Sequence, residues 1–121
     1  MANPNFVLLY VTDPVRSASF YEPILKAKPV ESSPGYTMFV LDGGLKIGFW
    51  KRDEVQPDAH GAPGSMELVF TETTDAAVDE RFAQWTGEGI VIAQKPTRMD
   101  FGYTFMGLDP DGHRLRVYRL A

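Results

Sequence analysis

The stretch Leu41-Asp42-Gly43-Gly44-Leu45-Lys46-Ile47-Gly48-Phe49-Trp50 has a counterpart near the end of the chain, Leu108-Asp109-Pro110-Asp111-Gly112-His113-Arg114-Leu115-Arg116-Val117-Tyr118. Each reads as a hairpin: apolar residues rich in β-formers on either side of a short turn that contains glycine. With Gly44 set against Gly112, Lys46 falls on Arg114, Ile47 on Leu115, Gly48 on Arg116 and Trp50 on Tyr118, and the second copy carries one extra turn residue. Two coincidental hairpins in an ordinary α+β domain would give the same match. The order of elements around them favours an internal duplication.

Upstream of the first hairpin, residues 5–11 form an apolar run that stops at Thr12-Asp13-Pro14. Asp13 suits an N-cap and Pro14 the first helical position, where a missing N–H costs nothing. The following helix carries Ala18, Tyr21 and Leu25 as an apolar stripe, and Pro23 predicts a kink or fraying before Lys26. Short strands are expected at 29–32, 36–41 and 45–50. Residues 51–64, with Pro57, Gly61, Pro63 and Gly64, read as a connecting loop. Beyond it come a strand at 65–71, a cap at Thr74 or Asp75, and a helix with Val78, Phe82 and Trp85 on one face, ending near Gly87 and Gly89. Strands at 90–93, 103–108 and 113–120 close the chain, with 95–99 as a loop. Lys28-Pro29-Val30 and Lys95-Pro96 hold similar places after the two helices. The expected organisation is one domain over 1–121, made of two βαβββ modules at about 4–52 and 64–120.

Composition removes several functions. The chain has 121 residues, no cysteine and two histidines, His60 and His113. Thiolate zinc sites, iron–sulfur ligation, disulfide frameworks and cysteine nucleophiles are excluded, and a histidine-rich metal site within one chain is excluded too. His113 is expected in the turn after Asp111-Gly112 and His60 in the connecting loop, both exposed, and no Ser-His-Asp order is arguable. A net charge of −4 argues against nucleic acid, whose binders present a basic face. The longest apolar run is far short of the ~20 residues that span a bilayer, and the amino terminus lacks a basic segment followed by an apolar one. The protein is therefore expected to be soluble and cytoplasmic, with no nucleic acid and no membrane as partner.

Tyr10-Val11-Thr12-Asp13-Pro14, leading to Ser19-Phe20-Tyr21-Glu22-Pro23-Ile24-Leu25, and the terminal Asp109-Pro110-Asp111-Gly112 hairpin resemble the vicinal oxygen chelate superfamily of glyoxalases, bleomycin-resistance proteins and extradiol dioxygenases. The resemblance covers nearly the whole chain. It implies an α+β fold in which two βαβββ modules form curved mixed sheets around a cavity, often completed by a second subunit. In metal-dependent members, four inward residues on the first and last strands of each module hold the ion. Carried onto this chain, those places fall on Phe6, Gly48, Ser65 and Arg116, none of them a credible ligand. The family helix commonly ends Leu-Gly, whereas here Lys26 follows Leu25.

The closest likeness is to the phenazine antibiotic-resistance members, which begin with a similar segment to Asn5-Phe6-Val7-Leu8-Leu9-Tyr10-Val11 and carry a tryptophan after the fourth strand. It implies metal-independent sequestration of a planar aromatic molecule by a homodimer, with no cofactor and no catalytic residues. Strand alternation puts Phe6, Leu8 and Tyr10, then Lys46, Gly48 and Trp50, then Ser65, Glu67 and Val69, then Arg114, Arg116 and Tyr118 on the cavity side. The opposite sets (Val7, Leu9, Val11; Ile47, Phe49; Met66, Leu68, Phe70; Leu115, Val117) are apolar, as faces covered by helices would be. The candidate binding residues are thus Trp50, Tyr10, Phe6, Gly48, Ser65, Glu67, Arg116 and Tyr118. Trp50 is the expected stacking platform, with Gly48 lowering the wall beside it; a core tryptophan at a strand end is the alternative. Arg116 and Glu67 read as a charge pair across the cavity, an anchor for a ligand carboxylate, or a structural ion pair. Asp100, Phe101 and Tyr103 form either one lip of the site or an ordinary loop. The competing function is a metal-dependent lyase or dioxygenase of the same superfamily, its ion held by atypical ligands such as Glu67 with His60 or His113 of a partner. A vestigial interaction module is a third.

Overall fold

A computed structural model describes residues 3–120 of the protein. The chain divides into two compact units that part between Gly61 and Ala62. Among the described residues no helix is long and apolar enough to cross a membrane.

The first unit contains β1 (Phe6–Val11), α1 (Pro14–Leu25), β2 (Glu31–Ser33), β3 (Tyr36–Val40) and β4 (Lys46–Lys51). Its sheet has the order β1-β4-β3-β2, with β1 parallel to β4 and the other pairs antiparallel. A parallel pair needs a crossover, and α1 lies on that crossover. Asp13 starts the helix: its Oδ1 accepts from the N–H groups of Val15 (3.1 Å) and Arg16 (3.2 Å). The helix covers one face of the sheet, burying Ala18, Tyr21 and Ile24 together with Leu9, Val11, Phe39, Ile47 and Phe49. Tyr21 and Phe39 meet the Phe49 ring at centroid distances of 4.8 and 6.1 Å. Each such side chain contributes about 1.5–3 kcal/mol of burial. The only polar side chain of β3 on this face, Thr37, donates its hydroxyl to the Pro14 carbonyl at 2.8 Å.

Pro23 does not end α1 early. The helix runs on to Leu25, because a proline in the last turn removes one bond and leaves the turn's other bonds in place. It stops at Lys26, which adopts a left-handed conformation (φ 52°) and donates its N–H to the Glu22 carbonyl. This is the position, after Leu25, where a glycine would carry that conformation without a Cβ clash.

The second unit repeats the order: β5 (Glu67–Thr71), α2 (Asp75–Gly87), β6 (Val91–Met99), β7 (Gly102–Leu108) and β8 (Arg114–Leu120). The sheet order is β5-β8-β7-β6, again with its first and last strands parallel. Thr74 is the cap, its Oγ1 accepting from the Ala77 N–H at 3.0 Å. Trp85 is the centre of the core, edge-on to Phe70 (5.9 Å) and Phe105 (5.2 Å), and Phe82 reaches Phe105 at 5.4 Å. Gly107 makes room for it: a Cβ there would lie 3.0 Å from the indole. In the terminal hairpin the buried Asp109 carboxylate accepts from the N–H groups of Asp111 (2.9 Å) and His113 (2.8 Å), and Gly112 takes φ 90°. The acids of Asp109-Pro110-Asp111 thus shape a turn.

Three strand boundaries differ from expectation by more than one residue; β2, expected from 29, begins at Glu31. β6 continues through 95–99, expected as a loop; it is an edge strand whose register shifts between Ile92 and Gln94 and between Gln94 and Thr97 accommodate Pro96. β5 starts at Glu67, so Ser65 and Met66 lie outside the sheet and are exposed. Its ladder partner, β8, begins only at Arg114 after the Asp109 turn, and a residue upstream of Glu67 has no strand to pair with.

Candidate functional site

Each sheet has one face covered by its helix and one left open. On the first sheet, Phe6, Leu8 and Tyr10 are exposed by 40%, 37% and 37%, whereas Leu9 and Val11, pointing the other way, are buried. Direct ladder partners share a face. Tyr10, Trp50 and Tyr36 therefore form one row across the open side, and Leu8, Gly48, Met38 and Glu31 form the next. Tyr10 and Trp50 stand edge to face, centroids 6.4 Å apart with an interplanar angle of 78°. Phe6 carries the Lys46 ammonium 5.9 Å from its centroid, within cation–π range. Four expected residues, Phe6, Tyr10, Gly48 and Trp50, are thus brought together on one surface.

Gly48 does not have the role expected of it. It is buried, and a Cβ built there would lie 3.0 Å from Leu8 Cδ1, Phe6 Cε1 and Tyr36 Oη alike. The low point beside Trp50 is therefore filled by the chain's own side chains. Tyr36, absent from the expected set, belongs to this surface. Its pKa is raised, first by burial and then by the Glu31 carboxylate. The signal was present in the strand alternation of β3, where Thr37 and Phe39 turn to the helix.

The open face of the second sheet is built around Arg116. Its Nε donates to Glu67 Oε2 (2.7 Å) and Oε1 (3.2 Å) and its Nη2 to Glu67 Oε1 (3.0 Å); its Nη1 donates to Gln94 Oε1 (3.1 Å) and Thr104 Oγ1 (3.2 Å). The planar fork of arginine fits this double engagement of a carboxylate. Hydrogen bonding from Arg116 holds the Glu67 carboxyl below the usual carboxylate range; burial opposes this, and the Arg116 and Arg114 charges add to it. Both partners of the pair belong to this one sheet, on adjacent parallel strands, so the bridge is made within the second unit. Phe101 lies under the guanidinium (5.9 Å) and edge-on to Tyr118 (5.8 Å, 72°). The Asp100, Phe101 and Tyr103 group divides: Phe101 joins the open face, while Tyr103 donates its hydroxyl to Asp79 of α2 at 2.7 Å, a bond that raises its pKa. Ser65 joins neither. Gln94 and Thr104 are absent from the expected set: the irregular register of β6 hides which of its residues share a face with Arg116, and Thr104, on β7, joins that face as the ladder partner of Tyr118.

The register also corrects the carry-over of metal positions. Phe6 pairs with Lys46 and Glu67 pairs with Arg114, and Lys46 and Arg114 are counterparts in the repeat. The residue equivalent to Phe6 is therefore Glu67, and the four positions are Phe6, Gly48, Glu67 and Arg116. Only Glu67 has a ligating atom, and both its oxygens are engaged by Arg116. Among the described residues no three His, Cys, Asp or Glu side chains stand close enough to hold a metal ion. A guanidinium at one of the donor positions, with an aromatic ring and a glycine at two others, leaves the donor set unfit for a divalent cation. His60 is exposed, and His113 belongs to the terminal turn.

Residues 3–117 match the model of the Glyoxalase/Bleomycin resistance protein/Dioxygenase superfamily. The phenazine antibiotic resistance protein EhpR of Enterobacter agglomerans is 36% identical over 117 residues, covering 94% of this chain and 89% of that protein. A protein of Agrobacterium tumefaciens solved by solution NMR is 49% identical, with a TM-score of 0.91 and coverage of 100% of this chain and 99% of that one. A glyoxalase-related enzyme from Fulvimarina pelagi has the same fold at 21% identity, with a TM-score of 0.84 over 98% of this chain and 88% of that one.

Proposed function

The chain belongs to the Glyoxalase/Bleomycin resistance protein/Dioxygenase superfamily, and from that premise we propose that it binds a planar aromatic small molecule without a metal and protects by sequestering it. One observation carries the reading. At the positions where the family places metal donors stand, on the first sheet, an aromatic ring and a glycine and, on the second, an arginine and a carboxylate locked to it, and the open face of each sheet carries further aromatic rings. Rings on a half-buried surface with a few oriented polar groups suit a flat ligand with polar substituents. Trp50 and Tyr10 are the stacking pair, with Phe6 beside them. Phe101 and Tyr118, braced by Arg116 and Glu67, are the corresponding pair of the second sheet. The phenazine resistance named for the Enterobacter agglomerans relative makes a phenazine the first ligand to test.

The proposal extends to a cytoplasmic homodimer. In support, the open faces and strand edges expose Phe6, Val40, Val69 and Leu120, the last by 66%. Light scattering at micromolar concentration is expected to give twice the 13.5 kDa of one chain. The binding test is titration with phenazine, followed by tryptophan emission. Trp85 is buried in the second unit's core, so quenching is expected to disappear in a Trp50→Phe variant and to persist in wild type. No quenching and no calorimetric heat at micromolar phenazine would refute the reading.

A further inference from the structure

Resting on that reading, we infer that the Tyr36 hydroxyl is a polar anchor of the ligand surface, and that it selects planar heteroaromatics carrying an in-plane hydrogen-bond acceptor over hydrocarbons of the same shape. Tyr36 lies directly opposite Trp50 in the ladder, in the row that also holds Tyr10. Its ring leans toward the neighbouring row, bringing Oη to 3.0 Å from the point a Gly48 Cβ would occupy. A side chain at 48 would press on that oxygen and equally on Leu8 and Phe6, so the glycine leaves the tyrosine oxygen room beside the stacking rings.

The hydroxyl has no hydrogen-bond partner among the described residues, whereas Thr37 on β3 donates to Pro14, and on the second sheet's open face Arg116 is engaged by Glu67, Gln94 and Thr104. Its surroundings favour the neutral phenol, since burial and the nearby Glu31 carboxylate both oppose ionisation. A phenol O–H is a good donor, and its oxygen, conjugated into the ring, is a weaker acceptor. A flat ligand stacked on Trp50 would shield this donor from water. A ring nitrogen or carbonyl at the ligand's edge would satisfy it; a C–H edge would leave it unpaired, and that costs free energy.

The test compares phenazine with anthracene, which has the same three fused rings with C–H in place of the two nitrogens. Binding of each to wild type and to Tyr36→Phe is measured at neutral pH, phenazine by calorimetry and anthracene by its own fluorescence at submicromolar concentration. Tyr36→Phe removes one oxygen from a half-buried position, and circular dichroism checks its fold. The inference expects phenazine binding to weaken about three- to tenfold in the variant, the effect of losing one neutral hydrogen bond, with anthracene binding unchanged or tighter. Equal effects on both ligands, or none on either, would overturn the anchor while leaving the stacking reading intact. Failure of both ligands to bind wild type would overturn the stacking reading, and the anchor with it.

Discussion

Trp50→Ala separates a ligand platform from a core residue. Trp50 is half-buried on the open face of the first sheet, and its one ring neighbour among the described residues is Tyr10 at 6.4 Å, whereas Trp85 is 1% exposed and packed against Phe70 and Phe105. Losing one edge-to-face contact costs about 0.5–1.5 kcal/mol, and losing partial burial adds about 1 kcal/mol, for about 2 kcal/mol in all. Trp85→Ala empties a core site and is expected to cost about 3–5 kcal/mol. An unfolding entropy of about 2.1 cal/mol/K per residue over this chain makes 1 kcal/mol worth about 4 °C of Tm. Thermal melts should therefore place Trp50→Ala about 8 °C below wild type and Trp85→Ala at least 12 °C below. Binding should show the reverse order of importance. Stacking of a flat ring on an aromatic side chain is worth about 1–3 kcal/mol, so calorimetry with phenazine is expected to show a five- to 150-fold loss for Trp50→Ala. A Trp50→Ala protein that melts as low as Trp85→Ala would make Trp50 a core residue. One that stays folded and binds phenazine as wild type does would remove it from the ligand surface.

Glu67→Gln is expected to lower stability by about 1–2 kcal/mol at pH 7, because it leaves a partly shielded Arg116 short of its counter-charge. The Glu67 carboxyl is held below its usual value of 4.5, so the pair's contribution is present in full above that pH and is lost as pH falls through the depressed folded value. Urea melts of wild type and variant should accordingly converge in acid, and a difference that grows toward low pH would contradict the pairing. Lys26→Gly relieves a left-handed backbone that disfavours a side chain, at some cost in unfolded-state entropy, and should raise stability by about 0.5–1 kcal/mol in the same melts. A loss there would show that the lysine side chain contributes more than its backbone costs.

The repeat was legible because the two hairpins preserve residue type at matching positions, and it brought both helices, both sheets and the two faces of each sheet with it. Leu9, Val11, Ile47 and Phe49 on one side and Phe6, Leu8, Tyr10 and Trp50 on the other follow from the period of two that any strand imposes. The third inward position lies at Glu67 and not at Ser65 because the start of β5 is determined by where β8 becomes available, a pairing constraint that β5's own residues do not record. The division of Phe101 from Tyr103 was hidden for a related reason: the β6–β7 hairpin extends through residues that look like a loop, and bulges displace its alternation. Gly48 is the clearest limit. Its identity indicates a need for space, yet only the structure shows Phe6, Leu8 and Tyr36 filling that space.

Under the proposed function, ligand binding rests on aromatic rings and needs no metal. Phenazine titration of protein treated with a chelator, repeated after adding zinc, nickel or manganese, tests it most directly. The account predicts the same micromolar affinity and the same Trp50-dependent quenching in every sample. Binding that appears only after a divalent ion is restored, in stoichiometric amount, would contradict it.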